Sequence, residues 1–229
     1  MIGKISIKLE KFFIQLSSKL FVVGVSPWVV DFLQQKFKPT NKIRTLAVPI
    51  SIKESNNKFL IKSLENKKYF IYGARLVKEK GQIRLLKDLQ KMNIKNPLIK
   101  NILFCGSGLL KEEINLFAKN NLQNFNIITI DNLIHKNYMN LVKESSGFLF
   151  PSYREAFPLS LLEAIFTSER IFIWEKYLYD FYSECSYHKN DLKNFLIKGE
   201  LRKLPKRTER INILKKNYLN SEIFTKLIF

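Results

Sequence analysis

Residues 147–174 read GFLFPSYREAFPLSLLEAIFTSERIFIW, and the fold class turns on how this stretch divides. GFLFPS (147–152) is a short apolar run stopped by proline, which predicts a strand. PLSLLEAIF (158–166) predicts a helix opened by Pro158. ERIFIW (169–174) is again apolar and predicts a strand. Two strands joined through a helix form a βαβ unit, the connection that parallel strands require. Two carboxylates, Glu155 and Glu163, stand eight positions apart with only Ala, Phe, Pro, Leu and Ser between them. Glu163 falls in the otherwise apolar LSLLEAIF, where an acid needs a reason.

The same alternation extends upstream. YFIYGA (69–74), PLIKNILFCG (97–106) and FNIITI (125–130) predict strands. QIRLLKDLQKM (82–92), with Ile83, Leu86 and Leu89 on one face, predicts a helix, as do LLKEEINLFAKN (109–120) and KNYMNLVKES (136–145). The strands are nearly continuous apolar runs, as expected when helices cover both faces of a parallel sheet. The predicted class is therefore α/β, a Rossmann-like parallel sheet. Further upstream, FVVGV (21–25) predicts a strand, SPWVVDFLQQKF (26–37) a helix with Ser26 as N-cap, and IRTLAV (43–48) a strand. The predicted organisation is an N-terminal piece (1–52), a lysine-rich linker (53–67), a main domain (68–186) and a basic helical tail (187–229). The tail carries 11 Lys and Arg against 4 Asp and Glu.

The whole chain of 229 residues has 39 Lys and Arg against 20 Asp and Glu, a net charge of +19, so acidic partners are favoured. A Lys-, Ile-, Asn- and Phe-rich composition explains part of that surplus. Cys105, in NILFC, reads as a buried thiol, and neither Cys105 and Cys185 nor His135 and His188 have metal-ligand spacing. No apolar run approaches the roughly 20 residues of a membrane span. The lysine-studded start, MIGKISIKLEKFFIQLSSKL, reads as a surface helix, with a membrane-lying helix as its alternative. The expected location is the cytoplasm or its membrane face. No pattern of interleaved aromatic and basic residues suggests a nucleic-acid partner.

In an open parallel sheet, ligands sit at the carboxyl ends of the strands. Gly73, Gly81, Gly106 and Gly108 fall there. GARLVKEKG (73–81) places Arg75 and Lys80 beside a helix start, which suits a pyrophosphate and would equally suit a plain solvated loop. CGSGLLKEE (105–113) is neither a P-loop nor a full dinucleotide fingerprint. Glu155 lies in the loop before the 158–166 helix and Glu163 inside it, so the two acids can bracket one ligand around the helix N-terminus.

GARLVKEKG, CGSG and PSYREAFPLSLLEA, in that order, resemble the donor-binding, C-terminal half of the group 1 (family 4) glycosyltransferases of the GT-B fold. VVGVSPWVVDFLQQKF is similar to the segment that closes that family's acceptor domain. The resemblance covers roughly residues 20–174. It implies transfer of a sugar from a nucleoside-diphosphate sugar to a glycan or lipid-linked acceptor, with retention of configuration. Arg75 and Lys80 would hold the diphosphate and offset charge on the leaving group. Glu155 would contact the donor sugar, and Glu163 the ribose. Gly73, Gly106, Ala156, Phe157 and Pro158 would mark backbone that approaches the donor. The donor is a substrate, and no separate cofactor is implied. No D-x-D occurs, in keeping with a metal-independent enzyme.

The sequence also departs from the family pattern. Only about 20 residues precede the V-S-x-W-V segment, so the acceptor domain is largely missing, which implies a truncated enzyme, a separate acceptor-domain subunit, or a non-catalytic remnant or accessory subunit. ISIK (50–53) replaces an N-G-V-D turn, Asp131 replaces a glycine, and FTSERIFIWEKYLYDF (166–181) replaces a Gly-rich turn.

Overall fold

The computed structural model describes residues 23–37, 44–45, 64–65, 67–131 and 133–218. The expected N-terminal surface helix, the ISIK segment and nearly all of the 53–67 linker lie outside the described residues. The chain divides into two compact units, Ile52–Ile213 and Met1–Ser51 with Leu214–Phe229. In the smaller unit, β1 (Val23–Gly24) pairs in parallel with β2 (Arg44–Thr45), and α1 spans Pro27–Phe37. The Ser26 carbonyl accepts from Val30 N–H at 3.0 Å. The Ser26 hydroxyl is buried and unpaired among the described residues, so the expected side-chain cap does not form.

The larger unit carries β3 (Tyr69–Gly73), a 3-10 turn (Lys78–Lys80), α2 (Gln82–Met92), β4 (Asn101–Cys105), α3 (Lys111–Asn121), β5 (Asn126–Ile130) and α4 (His135–Glu144). It continues with β6 (Gly147–Phe150), α5 (Leu159–Thr167), β7 (Ile171–Ile173), α6 (Lys176–Tyr182), β8 (Tyr187–His188), α7 (Lys189–Lys198) and the start of α8 (Arg207–Tyr218). The six strands form one parallel sheet in the order β5-β4-β3-β6-β7-β8. From β3 the chain winds outward to β5, then returns to the other side of β3 and winds the opposite way. Parallel crossovers keep one hand, so this reversal puts α2 and α3 on one face and α4 and α5 on the other. It also creates a switch point between β3 and β6. Gly73, Cys105 and Ile130 end three neighbouring strands in register.

The core is aromatic. Tyr72 meets Phe104, Phe148 and Phe150 edge-on, with centroids 5.8–6.5 Å apart, and Phe70 meets Phe172 and Phe195. Helix α2 buries Leu85, Leu86 and Leu89, while Ile83, expected on that face, is only half-buried. The apolar face is set by 82-85-86-89, which turns position 83 toward a groove at the helix start.

The tail begins with a strand rather than with helix alone: Tyr187–His188 pairs with Phe172–Ile173. Two residues are too short a run to show a period. Arg210, only 5% exposed, ties the start of α8 to the segment just before β7. Its guanidinium donates to Ser168 O (2.8 Å), Glu169 O (2.7 Å) and Pro205 O (3.0 Å). Arg210→Met would leave three carbonyls short of a charged donor and should cost about 3 kcal/mol, or roughly 6–12 °C in Tm for a chain of this size. A thermal melt reads the difference, and an unchanged midpoint would show that water replaces the guanidinium freely.

Candidate functional site

The site is assembled from the loops that follow β3, β4 and β6. The first two are interwoven: Leu76 N–H donates to Ser107 O at 2.8 Å, and Leu110 N–H to Leu76 O at 3.1 Å. Gly106 sits at φ +146, and a Cβ there would lie 2.2 Å from Ala74 O, so the close approach of these loops requires glycine. The first and third loops touch as tightly. Gly81 sits at φ +73, and a Cβ there would lie 2.1 Å from Pro151 O. Tyr153 N–H reaches Glu79 O at 2.9 Å.

That contact brings two of the expected residues together. Lys80 Nζ lies 2.7 Å from Glu155 Oε1, with side-chain exposures of 22% and 9%. Ser152 Oγ donates to the same oxygen at 2.6 Å. Glu155 N–H donates to the Tyr177 hydroxyl, on α6, at 3.0 Å. Residues 80 and 155 thus arrive from opposite sides of the switch point. The Arg75 guanidinium is exposed, with no ion-pair partner among the described residues. Its carbonyl accepts from the fully buried Gln82 amide at 2.9 Å, which pins the loop to the start of α2.

Glu163 has a partner that sequence reasoning did not find. His135 Nε2, in the first turn of α4, lies 2.7 Å from Glu163 Oε1. The carboxylate is 15% exposed and the imidazole 61%. Pro158 stands one residue before α5, accepting from Leu162 N–H at 3.0 Å, with Ala156 exposed and Phe157 half-buried ahead of it. Asp131, after β5, pairs with Lys111 at the start of α3.

An open cleft of about 330 Å³ lies at the ends of β3 and β4, lined by Gly73, Arg75, Gly106, Ser107, Leu133 and Tyr138. Its size falls at the small end of the range for ligand pockets. Lys80, Glu155, Glu163 and residues 156–158 do not line it. Cys105 lines the same cleft, and burial pushes its thiol up to about 12, so it stays protonated at neutral pH. At Gly73, the space a side chain would fill is taken by the Tyr138 phenol, whose atoms would come within 2.3–2.5 Å of a Cβ. Among the described residues, no three His, Cys, Asp or Glu side chains converge as a metal site.

The arrangement offers two cations and two acids at the carboxyl ends of a parallel sheet, beside a cleft at the ends of β3 and β4. His135, Ser152, Tyr138 and Tyr177 were not singled out from sequence for this site. A histidine opening the helix after β5 was visible, but its partner lies 28 residues away.

The profile of the family described as "Glycosyl transferases group 1" matches residues 53–167. No curated protein sequence matches the chain. Among solved structures, a mutant of S. aureus TarM in complex with fondaparinux, α-GlcNAc-glycerol and UDP superposes with a TM-score of 0.70 at 19% identity, over 96% of this chain and 45% of that one. WaaG, a glycosyltransferase involved in lipopolysaccharide biosynthesis, gives 0.62 at 13%, over 95% and 63%. The pneumococcal O-GlcNAc transferase GtfA, in complex with UDP and GlcNAc, gives 0.55 at 14%, over 91% and 42%. The chain therefore spans about half the length of these proteins, and at such identities the likeness is one of fold.

Proposed function

The chain belongs to the group 1 glycosyl transferases, and from that footing we propose that it carries the donor site of an enzyme that moves a sugar from a nucleoside-diphosphate sugar to a glycan or lipid-linked acceptor. The observation that carries this reading is the Lys80–Glu155 pair, held at 2.7 Å by loops from the two sides of the β3/β6 switch point. In the structure the two groups neutralise each other. A diphosphate would draw Lys80 and Arg75, and the Glu155 carboxylate would be released to accept from a sugar hydroxyl. As the bond between sugar and diphosphate breaks, negative charge grows on the leaving phosphate. The part-buried Lys80 and the exposed Arg75 beside it would stabilise it. Glu163, held in place by His135, is suited to accept from ribose hydroxyls. The backbone at Ala156, Phe157 and Pro158, ahead of α5, would approach the sugar and phosphate.

Retention of configuration and independence from metal belong to the same proposal, as does an acceptor-binding half supplied outside the described residues. TarM and GtfA were crystallised with UDP, which makes UDP and its sugars the first donors to try. No helix among the described residues is long and apolar enough to cross a membrane. We place the protein's work in the cytoplasm or at its membrane face.

A second reading, an accessory protein without turnover, draws on α6. Tyr177, from the segment that stands in place of the family's Gly-rich turn, accepts from the Glu155 amide, which would give the site a different sugar side.

Glu155→Gln separates the two roles of the acid. Removing its charge frees Lys80, and UDP should bind about 3–10-fold tighter, a fraction of a charged hydrogen bond. Any preference for a UDP-sugar over UDP should disappear. Calorimetry with UDP and a panel of UDP-hexoses reads both, and weaker UDP binding in this variant would contradict the assignment.

A further inference from the structure

We propose that Tyr138, in the first turn of α4, is an additional donor-site residue whose hydroxyl donates a hydrogen bond to a phosphate oxygen of the nucleotide in the Gly73–Arg75–Gly106 cleft. The inference rests on the donor-site reading and adds a residue that the motifs do not contain.

Two independent observations converge on this phenol. Its hydroxyl is buried and has no hydrogen-bond partner among the described residues, while its ring lines the cleft. Buried polar groups in folded proteins are nearly always paired, so an orphan needs a reason. Phenylalanine would fill the same volume without desolvating an oxygen. The second observation is Gly73. It needs no unusual backbone angle, since among the described glycines only Gly81, Gly106, Gly108 and Gly199 have positive φ. What it lacks is a side chain, and the phenol stands where that side chain would be. The tip of the ring is therefore given a place at the end of β3, where the Arg75 loop begins.

The chemistry favours a donor. Burial first, and then the Glu163 carboxylate, raise the phenol well above its ordinary value, so it keeps its proton at any physiological pH. A neutral hydroxyl that has already lost its water donates strongly to an anionic oxygen. A small swing of the ring away from Gly73 would present it to a ligand. The His135 ring, 6.2 Å away centroid to centroid, links the same helical turn to Glu163.

The test titrates UDP and uridine into the full native chain and into Tyr138→Phe, with thermal melts of both. The expected result is UDP bound about 10-fold more weakly by the variant, uridine bound equally, and a melting temperature unchanged or higher. Equal UDP affinity in the two proteins would overturn the proposal. So would an equal loss for uridine, which would place the hydroxyl's effect away from phosphate. A lower melting temperature would also overturn it, by showing that the hydroxyl has an internal partner. If the native chain binds no UDP, GDP or ADP, the donor-site reading fails and takes this proposal with it. Binding by the native chain with none lost in the variant sinks this proposal alone.

Discussion

Lys80→Ala should weaken UDP binding about 30-fold, the loss of a charge-assisted hydrogen bond worth about 2 kcal/mol, and leave uridine binding unchanged. Only the diphosphate carries the charge that Lys80 would meet. The variant also strands Glu155, which is 9% exposed and keeps Ser152 as a hydrogen-bond donor. Because Lys80 is itself partly in water, that should cost only about 1 kcal/mol of stability. Adding Glu155→Gln separates the two effects. Stability should return, because the stranded carboxylate is gone. UDP affinity should remain far below native, because the cation is still missing. If both recover together, Lys80 merely neutralises Glu155 and has no role in binding. Calorimetry and thermal melts on the three variants decide.

Gly81→Ala is the second large effect. The added methyl would stand 2.1 Å from Pro151 O, and the residue would be held at φ +73. Neither problem yields to a side-chain rotation, since the obstacle is backbone. Moving Pro151 away would stretch the Tyr153–Glu79 hydrogen bond and part Lys80 from Glu155. The expected cost is about 3 kcal/mol, from an unfavourable φ and an overpacked contact, or roughly 6–12 °C in Tm. UDP affinity should fall with it even at temperatures where the variant is fully folded. A variant that melts like the native chain would show that the two loops are not locked together.

The fold was legible because its strands are short apolar runs and its helices are amphipathic, with connections too short for alternatives. The βαβ stretch at 147–174 appears in the structure as β6, α5 and β7. What stayed hidden depended on pairings across the sheet. The strand β8 has two residues and no period. The outward turn of Ile83 reflects which of two adjacent helical stripes meets the sheet. The hold of Arg210 on Ser168 and Glu169 joins residues about 40 positions apart.

The geometry of the candidate site was legible in part. Motif order singled out Arg75, Lys80, Glu155 and Glu163. Gly81 and Gly106 prove to be places where loops meet backbone to backbone. The partners that hold the acids, Ser152, Tyr177 and His135, carried no local signal. Gly73 was legible as a glycine after a strand but not as the space for Tyr138, which lies 65 residues away and behind a different strand.

The most direct measurement of the central claim is a calorimetric titration of UDP, GDP and ADP into the native chain, beside the Glu163→Ala variant. A live donor site predicts micromolar binding of one nucleotide, weakened about 10-fold or more in the variant by the loss of its ribose contact. Absence of binding by the native chain, or equal binding by both proteins, would contradict it.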